Sequence, residues 1–374
     1  MVKRFVILWI CLCFPVMMMG QEENKKRSTG VGRVIHKVLS FIDTMAVRGN
    51  DPRYIEIPER PWAVVARTTL SSSFITLKSE NEDNLLGKVK LRSNTDLTTS
   101  VGAWIGYRGY GFGYSFDVSG DKGTNFTTGA SNFLDLLPNL NLGAMGGHYG
   151  LNLRIRSYKV NKSYLSIWGD GNDPLVQNTS FEISEPMKVR SVFADAYYMF
   201  NGKRFSYAAA YDQSAIQIRS AGSLVAGLMY HYSRVKYDSE DNLRLLDYME
   251  GVGQMKVWQA SVGAGYAYNW VPGTHWLLSV MFLPMLTLYN RAEVVYYERT
   301  NPDSQTDMSV HETGSEMTRN RIIPNLDTRF SITYNRAQYY LNGYVTYNSF
   351  RYTYDGGSVR LGDWYAYFSW GLRF

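Results

Sequence analysis

The stretch Lys256-Val257-Trp258-Gln259-Ala260-Ser261-Val262-Gly263-Ala264-Gly265-Tyr266-Ala267-Tyr268-Asn269-Trp270-Val271 decides the fold, because its two sets of alternate residues differ in character from end to end. In an extended chain Trp258, Ala260, Val262, Ala264, Tyr266, Tyr268 and Trp270 share one face, and Val257, Gln259, Ser261, Gly263, Gly265, Ala267 and Asn269 share the other. The first face suits lipid and the second a polar or crowded interior. The two tryptophans are separated by roughly 40 Å along a strand, or about 28 Å along a membrane normal at a tilt near 45°. That approaches the ~25 Å apolar band of an outer-membrane barrel, which is bounded by two aromatic girdles. Strands in a soluble sandwich run to about 5 to 6 residues, so this length argues for a membrane wall.

The last residues repeat the pattern. Trp364, Ala366, Phe368, Trp370, Leu372 and Phe374 alternate with Tyr365, Tyr367, Ser369, Gly371 and Arg373. Further strand candidates with a period near two run over 62–77, 86–94, 97–107, 109–118, 138–147, 150–164, 188–200, 204–213, 219–236, 275–298, 322–335 and 338–353. With the two quoted stretches these make fourteen. Short turns fit Asn201-Gly202-Lys203-Arg204, Pro272-Gly273-Thr274 and Asp355-Gly356-Gly357, and long polar stretches fill 119–136, 165–187, 237–255 and 299–321.

Barrels of this kind keep short turns at the periplasmic end and long loops outside. Fourteen strands break that rule, since counting back from the C-terminus puts 165–187 at the short-turn end. Merging 86–107 into one strand, or reading 212–223 as an inward excursion, repairs part of the conflict. The expectation is an all-β, antiparallel transmembrane barrel of twelve strands over 62–374, with fourteen as the next count.

Ahead of the barrel, Lys3 and Arg4 precede an apolar run over 5–19 that closes on Gly20 and Gln21. A spanning helix needs about 20 apolar residues, and this shorter run, broken by Pro15, reads as a secretory leader over 1–20 cleaved after Gly20. Residues 21–61 then form a periplasmic segment. Within it Val31, Val34, Ile35, Val38, Ile42 and Met45 recur at helical spacing, so one short amphipathic helix is expected before Pro52, Pro58 and Pro61 impose an extended lead-in.

Both cysteines, Cys11 and Cys13, fall in the leader, which leaves a mature chain without disulfides or thiolate chemistry. Without Lys3 and Arg4 the excess of basic over acidic residues is mild, and no basic tract is interleaved with stacking aromatics, so nucleic-acid binding is excluded. Aromatic residues make up 15% of the chain, 29 of them tyrosine, as suits a protein whose rings sit at lipid–water interfaces.

Alternation also assigns the interior. Lys88, Lys90 and Arg92 oppose Val89 and Leu91, and Arg154 and Arg156 oppose Leu151, Leu153 and Ile155. These cations are expected in the lumen, because on the lipid face each would cost about 2 to 4 kcal/mol near the midplane. Either they attract anions into a pore or pocket, or they pair with carboxylates such as Asp117, Asp195 and Asp212 in a packed interior. The second is the plainer alternative for a barrel of modest size.

No catalytic, metal or cofactor residues are assigned. His231-Tyr232-Ser233 has a His-x-Ser spacing, but Arg234 and Val235 follow where outer-membrane phospholipases carry Asn and Gly. No two histidines are within four residues of each other. Gly109, Gly111 and Gly113 alternate with aromatics in continuing strand, which fits close packing better than a phosphate loop.

The string Phe205-Ser206-Tyr207-Ala208-Ala209-Ala210-Tyr211-Asp212-Gln213, with Gln217, Ser220-Ala221-Gly222-Ser223 and the earlier Tyr54-Ile55, resembles a Bacteroidota family known as domain of unknown function 4421. The resemblance spans most of 50–374 and implies an outer-membrane-type barrel without an assigned activity. Gln213 and Gln217 then mark a constriction or an inward fold. A terminal strand ending on Phe374 resembles the signature that barrel-assembly machinery reads, which makes that machinery and outer-membrane lipid the expected partners. A small-solute pore and a surface barrel acting through its loops rank nearly level, and a lipid-modifying enzyme ranks last.

Overall fold

The computed structural model describes residues 37, 39, 40, 49–79, 90–94, 98–118, 139–145, 147–160, 163–167, 179–183, 187–236, 251–301, 309–319, 322–354 and 357–374. Twelve of its strands form one antiparallel ring: β1 (Trp62–Ser79), β2 (Thr98–Tyr107), β3 (Tyr110–Asp117), β4 (Asn139–Met145), β5 (Tyr149–Val160), β6 (Met187–Met199), β7 (Ala221–Lys236), β8 (Val252–Gly273), β9 (Trp276–Arg299), β10 (Ile323–Asn335), β11 (Tyr339–Tyr354) and β12 (Gly357–Arg373). Each pairs with the strand before and the strand after it in this order. The ring closes where β12 pairs with β1, from Arg373↔Ala63 to Gly357↔Ser79. At that seam Trp62 N donates to Phe374 O at 3.2 Å and Phe374 N donates to Trp62 O at 3.0 Å.

Twelve is the expected count, and two of the fourteen candidate strands lie outside the ring. The 86–94 candidate is the short strand Lys90–Asn94, which extends the outer half of β1 by pairing with Phe74–Lys78. The 204–213 candidate is corrected: Tyr207–Tyr211 is a helix, α1, inside the barrel. The excursion suspected at 212–223 instead occupies 200–220, and Ala221 already belongs to β7.

With these corrections the connections at 108–109, 146–148, 200–220, 274–275 and 336–338 share the end that holds Trp62 and Phe374, and only 200–220 is long. Most of the long connections, including 161–186 with its strand pair Ser163–Ile167 and Thr179–Ile183, are at the other end. The conflict over sidedness therefore came from counting the inward fold as wall.

The two faces separate as the alternation requires. Along β7, Leu224, Leu228 and Tyr230 point outward, while Ser223, Val225, Met229, His231 and Ser233 are buried. On β8 Tyr266, Tyr268 and Trp270 are exposed, and Val257, Gln259, Ser261, Ala267 and Asn269 are buried. In β12 the outward Phe368, Trp370 and Leu372 alternate with buried Ser369 and Arg373.

Strands β8 and β9 are the longest, at 22 and 24 residues, and the strand Val310–Arg319 pairs with the far half of β9. The wall is thus tallest there, with a Lys256–Glu293 ion pair of 2.8 Å across β8 and β9. Among the residues of the expected N-terminal helix, Lys37, Leu39 and Ser40 are helical and the others lie outside the described residues, as does the leader.

If the outward face lies in lipid, position along the strand sets the cost of a charge. Leu228→Arg, 58% exposed and paired with Val262 between the levels of Trp258 and Trp270, is expected to lower barrel stability by about 2 to 4 kcal/mol. At Trp270, on the band edge, placing the charge by Trp270→Arg should cost less, about 0 to 1 kcal/mol. Denaturant titration in vesicles, read by heat-modifiable gel mobility, checks the difference; equal costs would contradict a lipid-facing band.

Candidate functional site

The segment 200–220 turns inward through close contacts with the wall and a capped helix. Gly202 stands so close to Gly147 that a Cβ there would approach its carbonyl oxygen to 2.2 Å, and Asn201 Nδ2 ties the turn to Gly222 O at 2.8 Å. Ser206 Oγ then accepts from Ala209 N at 3.0 Å as an N-cap, and three small alanines let α1 fit against the wall. Tyr207 is accommodated by Gly150 of β5, where a Cβ would lie 2.6 Å from its ring. The helix ends on Gln213, which adopts the left-handed φ of 61° and donates from its N to Ala208 O at 2.6 Å.

Gln213 and Gln217 are both buried, and their bonds hold the inward fold together. Gln217 Oε1 accepts from Ser206 N at 2.9 Å and from Asn269 Nδ2 at 3.0 Å, while its Nε2 donates to Arg204 O, Arg219 O and Tyr54 O at 2.6, 2.8 and 3.3 Å. Gln213 Nε2 donates to Ala210 O at 3.1 Å, and its carbonyl accepts from Arg373 Nη2. Asn342 Nδ2 of β11 donates to Ala210 O at 3.3 Å. Below the segment, Ile55–Glu56 of the lead-in pairs antiparallel with Ile216–Gln217, and Asp51 N donates to Lys203 O at 2.8 Å.

Hydrogen bonds from the Arg53 side chain and backbone hold the Asp51 carboxyl down to about 2, from an ordinary 3.8. Its stabilisation of the lead-in turn is thus complete above pH 3.8 and fades as pH falls through about 2.

Above α1 is a chamber of about 120 Å³ whose lining includes Arg67, Trp104, Asn152, Arg154, Asp195, Tyr207, Tyr211, Asp212, Arg329, Tyr344, Tyr365 and Tyr367. Arg329 of β10 is its hub. The guanidinium contacts Asp195 at 3.0 Å and Asp327 at 3.3 Å, donates to Tyr207 OH at 2.6 Å, and also reaches Tyr197 OH. Tyr197 OH in turn donates to Asp327 Oδ2 at 2.7 Å. One cation thus joins two wall carboxylates to the helix, with its donors in the plane that such multiple contacts require.

Among the cations expected in the lumen, Arg154 lies in this chamber, with its guanidinium carbon 4.2 Å from the ring centre of Tyr365 and 5.1 Å from that of Phe193. Asp195, offered as its partner, is bound by Arg329. Arg156 is in β5, and Lys90 and Arg92 are in the short strand on β1; their side chains, like that of Asp117 and the whole of Lys88, lie outside the described residues. His231 and Ser233 are buried on the inner face as their spacing requires, with His231 stacked on Phe193 at 4.2 Å.

The reading from sequence missed Arg67, Asp327, Arg329 and Arg373. The signal for Asp327 and Arg329 was present: they alternate with Phe330 and Ile332 in a strand that was recognised. Their meeting with Tyr207 depends on a helix that was read as strand.

This architecture defines a class, a closed membrane-type β-barrel carrying an inward-folded segment. The chain belongs to the family described as domain of unknown function (DUF4421), whose model matches residues 49–368 and so takes in lead-in, inward segment and nearly the whole ring. No curated protein matches it. Similar solved structures include the outer membrane protease OmpT from Escherichia coli, at 9% identity over 85% of this chain and 97% of that one, with a TM-score of 0.43. The toluene transporter TodX from P. putida (7%, 88% and 94%, 0.26) and the outer membrane protein OprG from Pseudomonas aeruginosa (10%, 85% and 98%, 0.26) are others. At such values no role passes from them to this chain.

Arg329→Ala would leave two buried carboxylates without their cation and is expected to cost about 3 to 5 kcal/mol, whereas Tyr207→Phe removes one hydrogen bond and about 1 kcal/mol. Gln217→Ala should cost more than Gln213→Ala, since five bonds of Gln217 are lost. Equilibrium unfolding of the refolded variants measures both orders; a Gln217→Ala variant as stable as wild type would contradict its role in holding the segment.

Proposed function

We propose that this is an outer-membrane barrel with a closed lumen, working by binding at its loop end and inner chamber and not by conducting solutes. The carrying observation is the burial of the segment inside the ring: Phe205, Tyr207, Ala209 and Ala210 are fully buried, and Ala208 and Tyr211 are nearly so. A twelve-stranded ring is intermediate between barrels of about 8 strands, filled by side chains, and those of about 16 to 18 with an aqueous channel. Here a chain segment supplies the filling. Export by a cleaved leader, insertion through the assembly machinery by way of the strand ending at Phe374, a Bacteroidota origin and the absence of catalysis belong to the same proposal. The seam geometry at Phe374 and the outward aromatic face support the membrane part of it.

Planar-bilayer recording of the purified, refolded protein tests the closed lumen. Wild type is expected to show no steady channels while keeping heat-modifiable mobility. Paired Arg329→Ala and Gln217→Ala substitutions, which loosen the segment, are expected to raise the frequency of openings. Steady conductance from intact wild type would overturn the proposal in favour of a pore.

A further inference from the structure

The end of the barrel that holds Trp62 and Phe374 differs in charge from the opposite end. Its connections at 108–109, 146–148, 200–220, 274–275 and 336–338 contain Arg108, Lys203, Arg204, Arg219 and Arg336. The one carboxylate in those stretches of sequence is Asp212, which lines the inner chamber. The lead-in adds Arg53, Arg60, Asp51, Glu56 and Glu59, and Asp51 is bound by Arg53 at 2.9 Å. At the opposite end the 237–251 connection alone carries Asp238, Glu240, Asp241, Asp247 and Glu250 against Arg244.

Lys203, Arg204, Arg219 and Arg336 are exposed, and each stands next to the outward aromatic belt. Lys203 and Arg204 follow the exposed Phe200, whose ring meets that of Tyr198 edge-on at 5.3 Å. Arg219 precedes β7, whose first residue, Ala221, pairs with Asn269 beside the exposed Trp270, and Ser220 Oγ accepts from Val271 N at 2.9 Å. Arg336 Nε donates to Tyr334 OH at 3.0 Å, and the Tyr334 ring lies 5.1 Å from that of the exposed Trp276. Tyr198, Trp270, Trp276 and Tyr334 belong to the ends of wall strands, and the cations to the connections beyond them. Among the described residues Lys203, Arg219 and Arg336 make no ion pair, and Arg204 approaches Asp51 only at 4.0 Å. Arg60 and Arg108 are engaged by the fold itself, donating to the carbonyls of Arg373 and Pro58.

Interfacial rings sit where acyl chains meet headgroups, and long basic side chains beyond them reach the level of the phosphates. Each Lys or Arg held near an anionic bilayer surface strengthens the attraction about fivefold. We propose that this rim is a docking surface for anionic phospholipid headgroups, whose phosphates are taken by Lys203, Arg204, Arg219 and Arg336. Charge complementarity selects this occupant: the rim is cationic and short of free carboxylates, and it adjoins the belt that fixes the depth of the barrel in lipid. Lys203 and Arg204 stand at one end of the inward segment and Arg219 at the other. Headgroups bound there therefore also anchor both ends of the fold that fills the lumen. The proposal rests on the reading that the outward face lies in a membrane, and not on closure of the lumen.

Electron spin resonance of spin-labelled phosphatidylglycerol and spin-labelled phosphatidylcholine tests the surface, with the full barrel refolded in phosphatidylcholine vesicles. The reading is the ratio of their association with the protein. Wild type is expected to favour phosphatidylglycerol by about twofold or more at low ionic strength, and the preference should shrink as salt screens it. Lys203→Gln, Arg219→Gln and Arg336→Gln together should remove more than half of that preference. Lys188→Gln, an exposed cation at the opposite end of β6, should keep it. If the triple variant fails to refold, as judged by heat-modifiable mobility, the three single variants carry the test, each with a partial loss. No preference in folded wild type, one indifferent to salt, or a wild-type ratio in the folded rim variants would overturn the proposal. So would an equal loss in Lys188→Gln, which would mark an effect of net charge alone. Retention on peptidoglycan sacculi without lipid preference would overturn it in favour of a cell-wall surface. Failure to insert into vesicles would reject the membrane reading and the proposal with it, whereas insertion without lipid preference rejects the proposal alone.

Discussion

In lipid an unpaired backbone N–H or C=O has no water to turn to, and this requirement governs the rest of the structure. Twelve strands can meet it only by closing, so β12 returns to β1 and Trp62 and Phe374 exchange hydrogen bonds at the seam. Closure in turn encloses a space too wide for side chains alone to fill. The 200–220 segment fills it, and its own backbone raises the same requirement again in the barrel interior. Gln217, Asn269, Asn342 and Arg373 answer it, each donating to or accepting from main-chain groups of the segment.

Charge is handled by the same economy of partners. Arg329 would be costly to bury alone, but it is surrounded by two carboxylates and two phenols, from β6, β10 and α1. Because those groups come from the wall and from the segment, the hub fixes where α1 sits as well as neutralising itself. Arg67 and Arg154 lie over aromatic faces, those of Tyr367 and Tyr365.

The family model begins at residue 49, so the strand pair between Ile55–Glu56 and Ile216–Gln217 lies inside the matched region. Lead-in and inward segment lie together at the end of the ring that holds Trp62 and Phe374. Long connections and the tall wall of β8 and β9 occupy the opposite end. A barrel so arranged is polarised: one end carries the inward segment and lead-in, and the other most of the long connections.

The wall was legible in the sequence because a lipid-facing strand must alternate, and residues 256–271 and 364–374 place their two faces as the pattern demands. Residues 204–213 show where that reading fails. Phe205, Tyr207, Ala209 and Tyr211 alternate with smaller residues and imitate a strand, yet a capping Ser206 and a run of alanines also suit a short helix. Local pattern does not decide between them, since both conformations satisfy their backbones locally or by pairing. The sequence by itself determined the ring, its two faces and its length, all of which follow from a period of two in a non-polar solvent. Only the tertiary structure decided what occupies the lumen and which cation meets which carboxylate, because Arg329 is more than a hundred residues from both Asp195 and Tyr207 and is joined to them by closure of the barrel.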